Sequence, residues 1–210
     1  MLIVICYLAL RFTINRQQLT INDLQFTKLP DGFMLKAMNE LDEVWANMIN
    51  EAIVGARADG RGDVAEYLTL KATNDVIRAR SVKWLFDSML EIAAQANRNS
   101  GQITIENENP HRFAVGNATM VGSFLRFRQG VRCLTLEAGW TRTPADGFMR
   151  GGALAAARIS HFGIGKANVD LMLIRNGDLP QWFSVDQNSR KSLFGFEHLH
   201  QHFRVFLDII

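Results

Sequence analysis

The spacing of apolar residues changes near residue 102 of this chain, and that change separates a helical region from a strand region. Met34, Met38, Leu41, Trp45, Met48 and Ala52 recur at steps of 4, 3, 4, 3 and 4. That is the stripe of an amphipathic helix, widened by Ile49, Ile53 and Ala56. Asp59-Gly60-Arg61-Gly62 ends it. A second helical stripe runs from Leu68 through Val82, Phe86 and Met89 to Ala96. Asp63 and Glu66 have the spacing of a capping box at its start, and the stripe reads either as a single helix over 63–97 or as one interrupted near Thr73-Asn74-Asp75. From Gln102 the period becomes two, and strands follow. Helices and strands that are segregated in this way predict an α+β fold rather than a parallel α/β one.

Two turn signals organise the strand region. Gln129-Gly130 separates the alternating runs 121–128 and 131–137, and Asn176-Gly177 separates 170–175 from 178–185. Each reads as a two-residue hairpin loop, with Arg175 opposite Asp178 in the second. In the first hairpin, Ser123, Leu125 and Phe127 share a face with Arg132, Leu134 and Leu136. The other face carries Phe124, Arg126, Arg128, Cys133, Thr135 and Glu137. In the second, Val169, Leu171, Leu173 and Trp182 share a face. Residues 153–157 (ALAAA) have helix propensity, but the alternation of Arg158, Ser160 and Phe162 against Ile159 and His161 favours a strand. Phe196, Leu199, Phe203, Phe206 and Ile210 then mark a closing C-terminal helix.

The expected architecture is a β-prone N-terminal segment (1–31), a long helical hairpin (32–100), and an antiparallel meander sheet of five to seven strands, open or curled, with the closing helix (101–210). The last two are expected to form one compact unit. Residues 1–10 (MLIVICYLAL) lack a basic leader and are too short to span a bilayer as a helix, so they read as a buried strand or as part of an extension. No membrane association is expected. Surface scaling lets a chain of this size bury roughly 70% of its unfolded surface, enough for a core without disulfides. Cys6 and Cys133 fit no metal or redox spacing, which suits a reducing, cytoplasmic setting.

The net charge of +2 is a sum of unlike parts. Residues 32–98 carry 8 basic and 10 acidic groups, whereas 99–190 carry 10 basic and 7 acidic, nine of the bases being arginine. Arginine forks onto carboxylates and phosphates, which points to anion contact or to buried pairing.

The stretch 137–152 (EAGWTRTPADGFMRGG) gathers Glu137, Trp140, Arg142, Asp146 and Arg150 in a long connection, and is the leading site candidate together with Arg126 and Arg128. Arg150-Gly151-Gly152 would bring amides to an anion, at a helix N-terminus if 153–161 were helical. Turn chemistry and local salt bridges explain the same residues. No Walker or dinucleotide-binding glycine pattern occurs, and no cofactor is implied. His198 and His202 have the i, i+4 spacing of zinc ligands, but Leu199 replaces the motif's glutamate and no third ligand is assignable. Solvated helix-edge histidines are the expectation, and no metal.

The leading functional expectation is therefore a binding or interaction protein. Its arginine-rich sheet and the 137–152 loop would meet an anionic ligand or partner, and its helical hairpin would pair with a second copy or another protein. One alternative is an enzyme using Glu137, Asp146 and His161 as acid–base groups with Arg142 and Arg150 as clamps. Another is a nucleic-acid groove, for which a net of +3 over 99–190 is modest.

Overall fold

The computed structural model describes residues 36–99, 101–177, 179–186 and 188–208. The strand or extension expected within 1–31, the side chains of Met34, Met38, Leu41, Trp45, Asp178 and Arg150, and Ile210 lie outside the described residues. The compact unit is Val44–Ile210, and the first turns of α1 belong to the unit Met1–Glu43.

Helix α1 (Lys36–Ala58) and helix α2 (Gly62–Arg98) form the expected hairpin. Ile49, Ile53 and Ala56 pack on Ala65, flanked by Val64, Leu68 and Ala72. Arg61 N–H donates to the Ala56 carbonyl at 2.8 Å, and Gly60 takes the left-handed φ of 73° that turns the chain. One local expectation fails and one open alternative is decided. Helix α2 starts at Gly62 with Arg61 as its uncapped N-cap, so Asp63 sits inside the first turn, favourably placed at the positive end of the helix dipole. The helix also runs unbroken through 73–75. Thr69 and Thr73 donate their hydroxyls to the Ala65 and Thr69 carbonyls, at 2.7 and 2.9 Å, and Asp75 pairs with Arg78 at 2.7 Å. The polar side chains are satisfied within the helix and do not compete for its backbone.

Seven strands follow in a strict antiparallel meander, each hydrogen-bonded to the next. They are β1 (Thr104–Val115), β2 (Ala118–Gln129), β3 (Arg132–Trp140), β4 (Ala155–His161), β5 (Val169–Asn176), β6 (Leu179–Val185) and β7 (Lys191–Phe194). Helix α3 (Phe196–Leu207) closes the chain. Both expected hairpins form with the expected faces, but each loop lies one residue later than the dipeptide signal suggested. The closing pairs are Gln129↔Arg132 and Asn176↔Leu179, so Arg175 faces Pro180 and not Asp178. The cause is the glycine. Gly130 and Gly177 take φ of 58° and 64° as the first loop residue, the position where a type II′ turn requires positive φ. Gly116, with φ of 60°, does the same between β1 and β2. The ALAAA segment is strand from Ala155, because β3 and β5 pair on either side of it and override its helix propensity.

Helices α2 and α3 cover one face of the sheet. Leu85, Met89 and Ala93 from α2 and Leu199, Phe203 and Phe206 from α3 meet Phe127, Leu134, Leu136, Ile159, Leu171 and Leu173. Phe203 stands edge-on to Phe127, with centroids 5.2 Å apart. Polar ties fix the layers: Trp182 Nε1 donates to the Ser81 carbonyl at 3.2 Å, and Arg78 Nε to the Leu154 carbonyl at 2.8 Å. Among the described residues no helix packs on the opposite face. At one end of that face Phe113, Ala118, Met120 and Ala156 make a small second core, with Met149 from the β3–β4 connection against it.

Candidate functional site on the helix-free face

Alternation places Phe124, Arg126, Arg128, Glu137, Arg158 and Asp170 on the helix-free face. The ladder aligns Glu137 with Phe124 on one side and Arg158 on the other, and Arg158 with Asp170. The charges close into a chain. Arg158 Nε donates to Asp170 Oδ1 at 2.7 Å, and its Nη1 lies 3.4 Å from Glu137 Oε1. Glu137 Oε2 is 3.1 Å from His111 Nε2, and His111 Nδ1 is 3.4 Å from Glu108 Oε1. Hydrogen bonding to Asp170 raises the Arg158 guanidinium above its ordinary value and fixes it as a cation.

His111 reaches Glu137 across an intervening strand. It sits on β1 opposite Gly122 of β2, which is itself opposite Gly139 of β3. With no side chain at either glycine, the imidazole lies across β2, stacked on Phe113 at 5.9 Å and tilted over Phe124 at 5.0 Å. Backbone crowding demands the glycines: a Cβ on Gly122 would collide with the Ala138 carbonyl oxygen, and one on Gly139 would stand 2.7 Å from the Val121 carbonyl. Beside this chain Arg126 and Arg128 share Glu106, at 2.8 and 3.4 Å, and Arg126 lies 5.0 Å over the Phe124 ring.

The 137–152 stretch is not one loop. Its first four residues are strand, and only 141–154 connects β3 to β4. Within it, Glu137 and Trp140 face opposite sides of the sheet. Trp140 is buried in the helix-side core, and the Arg142 guanidinium covers its ring at 3.8 Å. Asp146 holds the corner. Its Oδ2 accepts from the backbone N–H of Arg142 and Thr143 and from the Thr143 hydroxyl, at 3.1, 2.9 and 3.0 Å, and Arg112 stands 3.5 Å from Oδ1. The Thr143 backbone and hydroxyl bonds, more than the Arg142 amide or the Arg112 charge, hold this carboxyl below its usual range. Arg150 opens a 3-10 turn with Gly151 and Gly152, both at positive φ. Because a strand follows, these amides open no α-helix, and that support for anion binding falls away.

His161 lies on the helix side, 5% exposed, with its Nε2 2.9 Å from His202 Nδ1 on α3. Burial lowers His161, and burial together with the neighbouring His161 and His198 lowers His202 to about 4. His198 Nδ1 accepts the Gly195 N–H at 3.1 Å and so caps α3. His198 and His202 thus have different partners, and no group of three potential metal ligands occurs among the described residues. Glu137, Asp146 and His161 stand on the helix-free face, in a loop corner and in the core, respectively, and do not converge. Asp186 accepts the Asn188 and Arg190 amides, both at 2.8 Å, and shapes a turn. His111 and Glu108 escape a reading of the sequence alone. Nothing in their spacing signals the contact, which depends on the register of three strands.

The chemistry open to this face is set by its pairing. Both ring nitrogens of His111 and both oxygens of Glu137 already have partners, so neither is poised as a free base. The acids and bases alternate around an aromatic centre, which makes a surface of mixed charge and not a positive groove. No described helix is long and apolar enough to cross a membrane. No family model, curated protein or solved structure matches the chain.

Proposed function

We propose that this chain is a binding protein that engages a partner through the helix-free face of its sheet, around Glu137. The observation that carries the reading is the chain Glu108–His111–Glu137–Arg158–Asp170, which spans β1 to β5 on a face that no described helix covers. Alternating charges around Phe124 and Arg126 give orientation and selectivity to an encounter with another polar surface. Because each arginine on this face has a carboxylate partner, a protein surface of complementary charge is favoured over a lone anion or a nucleic acid. The hairpin, with Met48, Tyr67 and Leu70 exposed, is a second surface through which copies could pair. The unpatterned cysteines support a cytoplasmic setting.

Photo-crosslinking in cells tests the face directly. A benzophenone side chain placed at Arg126 or Arg128 should give one discrete adduct, of a partner or of a second copy. The same group at Arg80, on the exposed side of α2, should not give it. Identical products from all three positions, or none from the sheet positions, would overturn the proposal.

A further inference from the structure

On the helix side an open cleft of about 550 Å³ lies between the helical hairpin and the end of β5. Its walls include Arg57 from the end of α1, Glu66, Thr69, Leu70 and Thr73 from the first turns of α2, and Arg175 from the end of β5. The two arginines, like Arg61 and Arg80 of the helical hairpin, have no carboxylate within 4.0 Å among the described residues, in contrast to Arg78 and the other arginines of the sheet. Arg78, Arg112, Arg126, Arg128, Arg132 and Arg158 each have a carboxylate within 4.0 Å. The guanidinium groups of Arg57 and Arg175 have neither an ion pair nor a hydrogen bond among the described residues. Glu66 is the one acid in the wall, so the cleft is cationic on balance.

Apart from Glu66, the remaining wall residues carry no charge. Thr69 and Thr73 turn their hydroxyl protons into the helix, at 2.7 and 2.9 Å from carbonyl oxygens. Leu70 is 54% exposed, with no cover among the described residues. Guanidinium forks recognise carboxylate or phosphate in the plane, and a volume of this order suits a small molecule. We propose that this cleft binds a small amphiphilic anion, its carboxylate or phosphate clamped between Arg57 and Arg175 and its apolar part against Leu70. The site lies on the opposite side of the sheet from the Glu137 face and is independent of the function proposed for that face.

Calorimetric titration with hexanoate and with hexyl phosphate tests it, with inorganic phosphate and hexanol as head-only and tail-only controls. One of the two amphiphiles should bind saturably and more tightly than either control, and which one it is identifies the head group. Arg57→Gln and Arg175→Gln should each weaken that binding about tenfold or more, as expected for the loss of a charged hydrogen bond. Arg126→Gln, on the far face, should leave it unchanged. All three side chains reach solvent, and unchanged thermal melts would show that the variants fold. Absence of saturable binding by both amphiphiles, or binding that the cleft variants leave within about twofold of wild type, would overturn the proposal.

Discussion

Acidification should loosen the sheet–helix interface through a single pair of histidines. His202 is held at about 4 by burial, against 6.5 for an ordinary imidazole, and it ties α3 to β4 through His161. In the unfolded chain His202 takes up its proton as the pH falls through about 6.5; in the folded protein it does so only near 4. Stability from this group is therefore complete above 6.5, declines between 6.5 and 4, and declines no further below that. At roughly 1.4 kcal/mol per tenfold in proton affinity, the full loss is roughly 3 kcal/mol, of which about 2.5 kcal/mol is reached by about pH 4.5. His161, also lowered by burial, adds to the loss in the same direction.

Urea unfolding at about pH 7.5 and about pH 4.5, for wild type and for His202→Gln, isolates this contribution from the carboxylates common to both proteins. Glutamine can still hydrogen-bond to His161 but cannot titrate. The wild type should lose about 2 kcal/mol more than the variant over that interval. If the two lose the same amount within about 0.5 kcal/mol, the buried imidazole pair does not govern the acid response, and the reasoning fails.

Two glycines make opposite predictions. Gly122→Ala drives a methyl into the Ala138 carbonyl oxygen and should cost about 2–4 kcal/mol, read as a fall in melting temperature of roughly 5–12 °C. Gly55→Ala, within α1 and with open space around it, should raise stability by about 0.5–1 kcal/mol in the same melt. Glu137→Ala removes the link between His111 and Arg158 and should lower stability by about 1–2 kcal/mol in urea unfolding, since Arg158 keeps Asp170. An unchanged urea midpoint would mean that the ion chain is ornamental to the fold.

The candidate site divides along the line between local and long-range information. Alternation alone places Glu137, Arg126 and Arg128 on one face, and the strand register puts them there. Asp146 was also legible, through Thr143-Pro144-Ala145-Asp146, as turn chemistry. His111 was not, because its contact crosses β2 and depends on two glycines standing opposite each other on neighbouring strands. Trp140 was assigned to a loop because the end of β3 carries Ala138 and Gly139, which give no alternation to count. The pairing of His161 with His202 joins residues 41 positions apart on different elements, beyond the reach of any helical or strand period.

By itself the sequence determined element type, element order and which residues share a face in the two hairpins. Periodicity is a property of a single segment, and burial of one face enforces it whatever the partner is. The tertiary structure decided the loop register, the unbroken course of α2, and which charges meet. It also decided that the arginine-rich half is largely self-neutralised, with Arg126, Arg128 and Arg158 each facing a carboxylate. Those outcomes rest on distances between segments, and such distances exist only once the backbone glycines, the turns and the shared core have fixed where each strand lies.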